Sequence, residues 1–461
     1  MADAAEVDVV VIGLGPGGEY VAGELARAGL SVVGVDRRLV GGECPYFGCI
    51  PSKMMIRAAD ALQEARRVPD LGGRTSVDPT WRTVADRIRD EATDDWDDTV
   101  AVQRLESSGA RFLRGHGRIA GPGRVVVSTA DGEQQLVVRR GVVLNTGTEP
   151  AVPPVKGLAD TPYWTNRDAV AVRELPERLI VLGGGAIGCE LAQAFARFGV
   201  GVTIVEGADR ILGPEEPEAS ATVTDALADE GIEIRTGSPV AAVSHDDGGF
   251  TLGFDDGSSV GGQALLVAAG RRNNLADVGL QTVGGDPGAR VIDVDEQMRV
   301  PGLEAAVWAI GDITGKGAFT HMSMYQAAVA VRSLTGEDGP WADYRAVSRA
   351  TFTDPEVGSV GMTEQQARNA GLRVGVGVTD LAASSRGFIH KAGNAGLVKV
   401  VADLDRDVLV GATAVGPSGG EVIGMLVTAV HGQVPLPTLR SMHFAYPTFH
   451  RAIESALAAI E

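Results

Sequence analysis

Two stretches of the chain repeat one device. Residues 7–36, VDVVVIGLGPGGEYVAGELARAGLSVVGVD, pass from an apolar β-branched run through Gly13, Gly15 and Gly18 into a helical pattern and a second strand that closes on Asp36. Residues 177–206, ERLIVLGGGAIGCELAQAFARFGVGVTIVE, do the same with Gly183, Gly185 and Gly188, and close on Glu206. In both, 23 residues separate the first glycine from the acid. The first glycine makes the tight turn, the second lets backbone approach a pyrophosphate, and the third permits close helix-to-strand packing. The helix N-terminus holds the phosphates and the acid accepts from a ribose hydroxyl. Two such units imply two bound dinucleotides, and two dinucleotides in one chain suggest electron transfer between them. A carboxylate at position 206 accepts from a free 2′-hydroxyl and repels a 2′-phosphate, so NADH is preferred over NADPH; Arg210, four residues on, leaves some scope for NADPH.

At 461 residues the chain is too long for one core, which favours two or three domains. A net charge of -19 argues against nucleic acid and anionic membranes as partners. The opening MADAAEVDVVVIGLG lacks the basic and apolar parts of a signal peptide, and no apolar run nears the ~18 residues of a membrane span. Further along, VVLNTGTEP and LLVAAGRRNN are strands ending in turns, and VWAIGDITG sets Asp312 after a short buried strand, placed for a helix cap or a polyol hydroxyl. From about residue 342 the pattern shifts to shorter strands and turns, the mark of a closing α+β domain.

Three cysteines in so long a chain are no disulfide framework, and the expected compartment is the cytoplasm. Cys44 and Cys49 stand in GGECPYFGCIPSK, among Gly, Pro and aromatic residues instead of on a periodic apolar face. A metal site would need a second pair, and Cys189 lies far away inside the second glycine motif, so no metal is expected. A redox pair fits, provided an electron source is near.

Taken together, the first glycine fold, Cys-x4-Cys with Pro-Ser-Lys, the second glycine fold, the IGD turn and the α+β ending resemble the FAD-dependent pyridine nucleotide-disulfide oxidoreductases, which include dihydrolipoamide dehydrogenase, mycothione reductase and mercuric reductase. The resemblance implies an α/β architecture: an FAD-binding Rossmann-like domain over 1–150 and 271–341, an NAD(P)-binding one over 151–270, and a dimerisation domain over 342–461. It implies a homodimer and a catalytic flow from NADH through FAD to a Cys44–Cys49 disulfide and on to a small disulfide, or the reverse with a dithiol. By matching position, Gly13, Gly15, Gly18, Asp36, Lys53, Gly117, Thr146, Gly147, Asp312 and Thr320 should line FAD. Gly183, Gly185, Ile187, Gly188, Glu206, Val240 and Gly270 should line the nicotinamide dinucleotide. Glu190 would partner Lys53 near the flavin, Cys49 would be the thiolate beside it, and Cys44 the interchange thiol. In a regular helix, residues five apart lie roughly 8.6 Å apart, beyond the ~7 Å reach of a disulfide, so Cys44 is expected at or before a helix start, with Pro45 in the first helical position.

The chain departs from that family at its end. In HFAYPTFHRAIESAL, Tyr446 stands where the family has its base histidine and Arg451 where it has the glutamate that orients it. A phenol with a pKa of about 10 is a poor base at neutral pH. This opens an alternative, reduction of a metal ion in the manner of mercuric reductase, or of a quinone, with a catalytically impaired homologue as a third reading. His450, or His443, is a candidate replacement base. Glu43 and Tyr46, where the family often has Thr and Asn, flank Cys44 and would reshape the acceptor side.

Overall fold

Alternating βαβ pattern at both glycine motifs becomes parallel sheet in the computed structural model, which describes residues 5–461; the first four residues of the expected FAD domain lie outside the described residues. The helices used below are α1 (Pro16–Arg27), α2 (Glu43–Tyr46), α3 (Cys49–Leu71), α4 (Ala186–Arg197), α5 (Thr320–Thr335) and α6 (Arg451–Ala458). The chain forms two compact units.

The first unit comprises Met1–Pro51, Ile88–Glu149 and Arg271–Asp343. Its sheet runs in the order Arg111–Arg114, Val32–Asp36, Ala5–Ile12, Gly132–Leu144, Arg124–Thr129, His116–Ile119, and Val307–Ala309 adds a further parallel pairing to Gly132–Leu144. Ala5–Ile12 pairs in parallel on both sides, so Val9, Val10 and Val11 are fully buried, as a central parallel strand covered on both faces requires. Its apolar faces feed two cores, one of them packed under α1 and α5.

The second unit comprises Ser52–Arg87, Pro150–Gly270 and Tyr344–Glu461. A parallel sheet in the order Glu233–Arg235, Gly201–Val205, Arg178–Leu182, Ala264–Val267 carries the second glycine motif at the end of Arg178–Leu182. A five-stranded antiparallel sheet, Ser348–Thr351, Glu356–Gly361, Val408–Gly416, Leu397–Asp403, Val374–Asp380, makes the α+β part. Lys399 projects from it fully buried and is met by Glu216, Glu218 and Glu364 at 3.1, 2.8 and 2.9 Å, a pairing without which its charge would not be tolerated there.

Candidate active site

The two glycine turns are built alike, down to their acids. Asp36 takes the backbone N–H of Leu14 on one oxygen and that of Arg38 on the other, both at 2.7 Å. Glu206 takes Gly184 N–H at 2.7 Å and Ala208 N–H at 2.8 Å. The backbone thus orients each carboxylate at the rim of its turn; burial pushes Asp36 above its ordinary value against those two N–H bonds. The third glycine is fixed by contact: a Cβ on Gly18 would sit 2.0 Å from Gly13 O, and one on Gly188 2.1 Å from Gly183 O. Nothing stands within 4 Å of a Cβ placed on Gly185, which leaves that turn open to a pyrophosphate. Both cradles fit a dinucleotide. Arg210 spends its guanidinium on the carbonyls of Leu212 and Gly213, at 3.3 and 2.6 Å.

Pro45, expected in the first helical position, is instead the third residue of a short helix, and the expected helix start resolves into two elements. Cys44 is the second residue of the four-residue α2, and Cys49 is the first of the 23-residue α3. Splitting the helix relieves the spacing that a continuous one would impose. A Cβ on Gly42 would lie 2.8 Å from Gly15 Cα, so the turn that carries Cys44 rests directly on the first glycine loop. Both cysteines are free thiols, Cys44 half-buried and Cys49 exposed. Thr320 Oγ1 lies 3.4 Å from Cys49 Sγ. The bond from Cys49 and burial push the Cys44 thiol far up, outweighing the opposite pull of Thr320. Tyr46, expected to shape the acceptor side, is instead 6 % exposed, with Trp96 Nε1 donating to its backbone carbonyl at 3.1 Å; its bulk packs inward. Glu43 turns to Arg271 at 3.5 Å. Arg271 also donates to the hydroxyl and carbonyl of Thr148, at 2.7 and 3.0 Å, and Thr148 donates to Asp312 at 2.6 Å.

In the second unit, Lys53 Nζ meets Glu190 Oε2 at 2.6 Å. The other oxygen, Oε1, accepts the Phe352 N–H at 2.8 Å, and the ammonium stands 4.7 Å from the Phe352 ring centroid. Glu190 is 5 % exposed on α4, whereas Lys53 retains 35 %, so the pair has a dry end and a wet end. Phe352, Thr148 and Arg271 were not expected from sequence; Phe352 sits in SRATFTDPE, where no local periodicity marks it. Cys189 is fully buried, donates to Gly184 O at 3.3 Å, and has its thiol pushed up by burial, which leaves it a structural residue.

The remaining expected positions fall as follows. Thr146 donates to Asn274 O at 2.7 Å beside Gly147, and Gly117 is buried in His116–Ile119 against Val35 and Ile12. Ile187 is 38 % exposed on the first turn of α4, Val240 opens the strand Val240–Asp246, and Gly270 is exposed just after Ala264–Val267. Tyr446 is 68 % exposed, its ring 5.7 Å from the Arg451 guanidinium, which also pairs with Glu454 at 3.0 Å. His450 is half-buried at the start of α6 with no side-chain cap bond, and His443 is exposed. Among the described residues no His, Cys, Asp and Glu group is arranged to hold a metal, and no helix is long and apolar enough to cross a membrane.

Comparison with known proteins agrees with this architecture. Residues 7–333 match the pyridine nucleotide-disulphide oxidoreductase family and residues 347–457 match its dimerisation domain. The chain is 32 % identical to a mercuric reductase of Acidithiobacillus ferrooxidans, over 98 % of this chain and 82 % of that protein. It is 31 % identical to a dihydrolipoyl dehydrogenase of Bacillus subtilis, over 99 % and 98 %. Among solved structures, LpdA of Mycobacterium tuberculosis superposes with a TM-score of 0.86 at 25 % identity, covering 98 % of this chain and 99 % of that one. The Cu(II) complex of the HOCl-induced flavoprotein disulfide reductase RclA of Escherichia coli gives 0.83 at 25 % identity, over 98 % and 99 %. The chain belongs to the pyridine nucleotide-disulphide oxidoreductase family. It is an FAD-dependent, NAD(P)H-linked oxidoreductase with a redox-active disulfide.

Proposed function

We propose that the redox centre is the Cys44–Cys49 pair and that the enzyme uses NADH to reduce an acceptor other than the family's standard disulfides. The observation that carries this reading is the juxtaposition of the two thiols, near enough for Cys49 to push the Cys44 thiol up, with Thr320 at 3.4 Å from Cys49 on the first glycine loop's own unit. Bound FAD supplies two-electron transfer between the nicotinamide and the cysteine pair. Gly13, Gly15, Gly18 and Asp36 would hold its phosphates and ribose, with Asp312, Thr146, Gly147 and Gly117 beside them; Gly183, Gly185, Gly188 and Glu206 would hold the nicotinamide dinucleotide, flanked by Ile187, Val240 and Gly270. Lys53, paired with Glu190 at 2.6 Å, would serve as the cation near the flavin. Cys44 is the sulfur that meets the acceptor.

The modules are 1–150 with 271–341 for FAD, 151–270 for NAD(P), and 342–461 for the interface. The dimerisation match supports a homodimer in which Tyr446, exposed on this chain, faces the partner's cysteines, with His450 as the nearby imidazole. Three cysteines in so long a chain fit a reducing cytoplasm. A second reading, metal-ion reduction, is favoured by Tyr446: thiolate transfer to a metal needs no base histidine, and the likeness extends to a mercuric reductase and to a reductase solved with Cu(II).

The test is anaerobic reduction with NADH followed by turnover with lipoamide, low-molecular-weight disulfides, Hg(II), Cu(II) and quinones. A thiolate-to-flavin absorbance band on reduction is expected, and its absence sinks the reading. C44S should abolish turnover of disulfides and metals; quinone reduction that survives it would place that activity away from Cys44. Y446H should raise lipoamide turnover if the missing base limits it.

A further inference from the structure

We propose that the turn over residues 94–98 is a clamp on the cysteine loop, and that Trp96 and Asp98 are positioning residues for the Cys44–Cys49 pair, acting through the loop's backbone. The proposal rests on the reading that those two cysteines are the redox couple. A hydride from NADH and one proton from solvent turn their disulfide into two thiols. The potential of the couple therefore depends on how closely the chain holds the two sulfurs together.

Cys44 sits on a support that cannot stand alone. α2 is one turn of four residues, closed by the bond from Phe47 N–H to Glu43 O at 2.8 Å, and a turn of that length has no stability of its own in water. Its position is set by what grips it from outside. The Gly41 N–H donates to Leu14 O at 2.7 Å and ties the entry of the loop to the first glycine turn. Val40 N–H donates to Asp98 Oδ2 at 2.6 Å, and Trp96 Nε1 donates to Tyr46 O at 3.1 Å. The last carbonyls of a helix lack partners within it, and the indole supplies one for Tyr46. Val40 and Tyr46 bracket Cys44, so two residues of one turn grip the loop on both sides of the sulfur, all within the first unit. Asp98 is 8 % exposed, and Arg114 donates to the same oxygen that holds Val40, which fixes the carboxylate in place.

The chain adopts unfavourable backbone to deliver these two side chains. Asp94, Asp95 and Trp96 have φ of 49°, 53° and 59°, three consecutive non-glycine residues in the left-handed region, which L-residues visit singly and seldom in runs. They follow a π-helical turn, Ile88–Ala92, beyond which Thr93 N–H reaches back five residues to Ile88 O at 3.0 Å. Thr93 is 1 % exposed; its hydroxyl lies 3.1 and 3.2 Å from the carbonyls of Ile88 and Arg89 and accepts the Trp96 N–H at 3.4 Å. An ordinary helix end would need none of this. Such backbone persists where surrounding contacts over-determine it, and the contacts that Trp96 and Asp98 make are with the cysteine loop.

The experiment measures the midpoint of the couple in the holoenzyme. Wild type, W96F, D98A, D98N and V127A are equilibrated anaerobically in dithiothreitol buffers of graded poise, and free Cys44 and Cys49 are counted by iodoacetamide labelling and mass spectrometry. W96F keeps a ring and removes the N–H donor. It should lower the effective concentration of the two sulfurs about fivefold, which makes the disulfide easier to reduce and moves the midpoint up by ~20 mV. D98A should shift it in the same direction, and D98N, whose side-chain oxygen still accepts from Val40, should fall between D98A and wild type. V127A empties volume in the core of the same unit and should lower Tm without moving the midpoint. An unchanged W96F midpoint overturns the proposal, as does a V127A shift equal to that of W96F; this comparison decides even where D98A fails to fold. A wild-type pair that forms no disulfide at any poise would instead overturn the redox reading itself.

Discussion

The Lys53–Glu190 pair gives an unequal prediction, because its two ends differ in access to water. K53M leaves Glu190, 5 % exposed, with the Phe352 N–H as its remaining partner. Removing one partner of a buried pair costs about 3–5 kcal/mol, and this carboxylate has no route to solvent. E190Q leaves Lys53 at 35 % exposure, where water can solvate the ammonium, and the amide oxygen can still accept from Phe352; the cost is about 1–2 kcal/mol. The double variant removes both charges, so it should be less destabilised than K53M alone, a coupling of about 2–3 kcal/mol. Urea unfolding followed by tryptophan fluorescence at a fixed excess of FAD measures all four corners of the cycle. Equal losses for the two single variants, or simple additivity in the double, would refute the picture of a dry carboxylate dependent on a wetter lysine.

Three further outcomes are expected. E206A should lower kcat/KM for NADH at least tenfold while leaving NADPH unchanged or improved, if the carboxylate held by Gly184 and Ala208 reads the 2′ position as proposed; steady-state kinetics with both donors decides. G188A should abolish NADH binding, measured by calorimetry, while FAD is retained, since its Cβ would fall 2.1 Å from Gly183 O. Burial lifts Asp60 to about 6 despite Arg197 beside it. The folded state therefore holds a proton that the unfolded chain releases near its ordinary value, and this group's contribution to stability falls as pH rises from about 4 to about 6 and is flat above. With the side chain 38 % exposed, screening reduces the effect to about 1 kcal/mol, seen as the difference between wild-type and D60N unfolding curves across that window.

What the sequence made legible is what strict stereochemistry dictates. Glycines at fixed offsets specify a turn and a close helix crossing, and both motifs show them in the same form; the backbone N–H bonds that hold Asp36 and Glu206 at the turns were not expected. The five-residue cysteine spacing forced a break in the helix, and the chain makes it between Tyr46 and Cys49. Contacts set by tertiary folding carried no such signal. Phe352 reaches Glu190 from 162 positions away, and Arg271 is drawn to Glu43 across more than two hundred, so neither spacing nor local propensity could pair them. Tyr46 departs from expectation for the same reason: adjacency to Cys44 in sequence says nothing of which way a ring turns, and in a short helical turn consecutive side chains diverge by about 100°.

Thr320 lies between these cases. Matching by position expects it at the flavin, and in the fold its hydroxyl stands 3.4 Å from Cys49 Sγ, 271 positions away. A phenol at position 446 is a poor base at neutral pH. Such a centre lacks a ready proton acceptor for Cys44. That arrangement suits an acceptor that takes up a sulfur ligand directly better than one whose leaving thiolate must be protonated. The acceptor panel tests that difference directly.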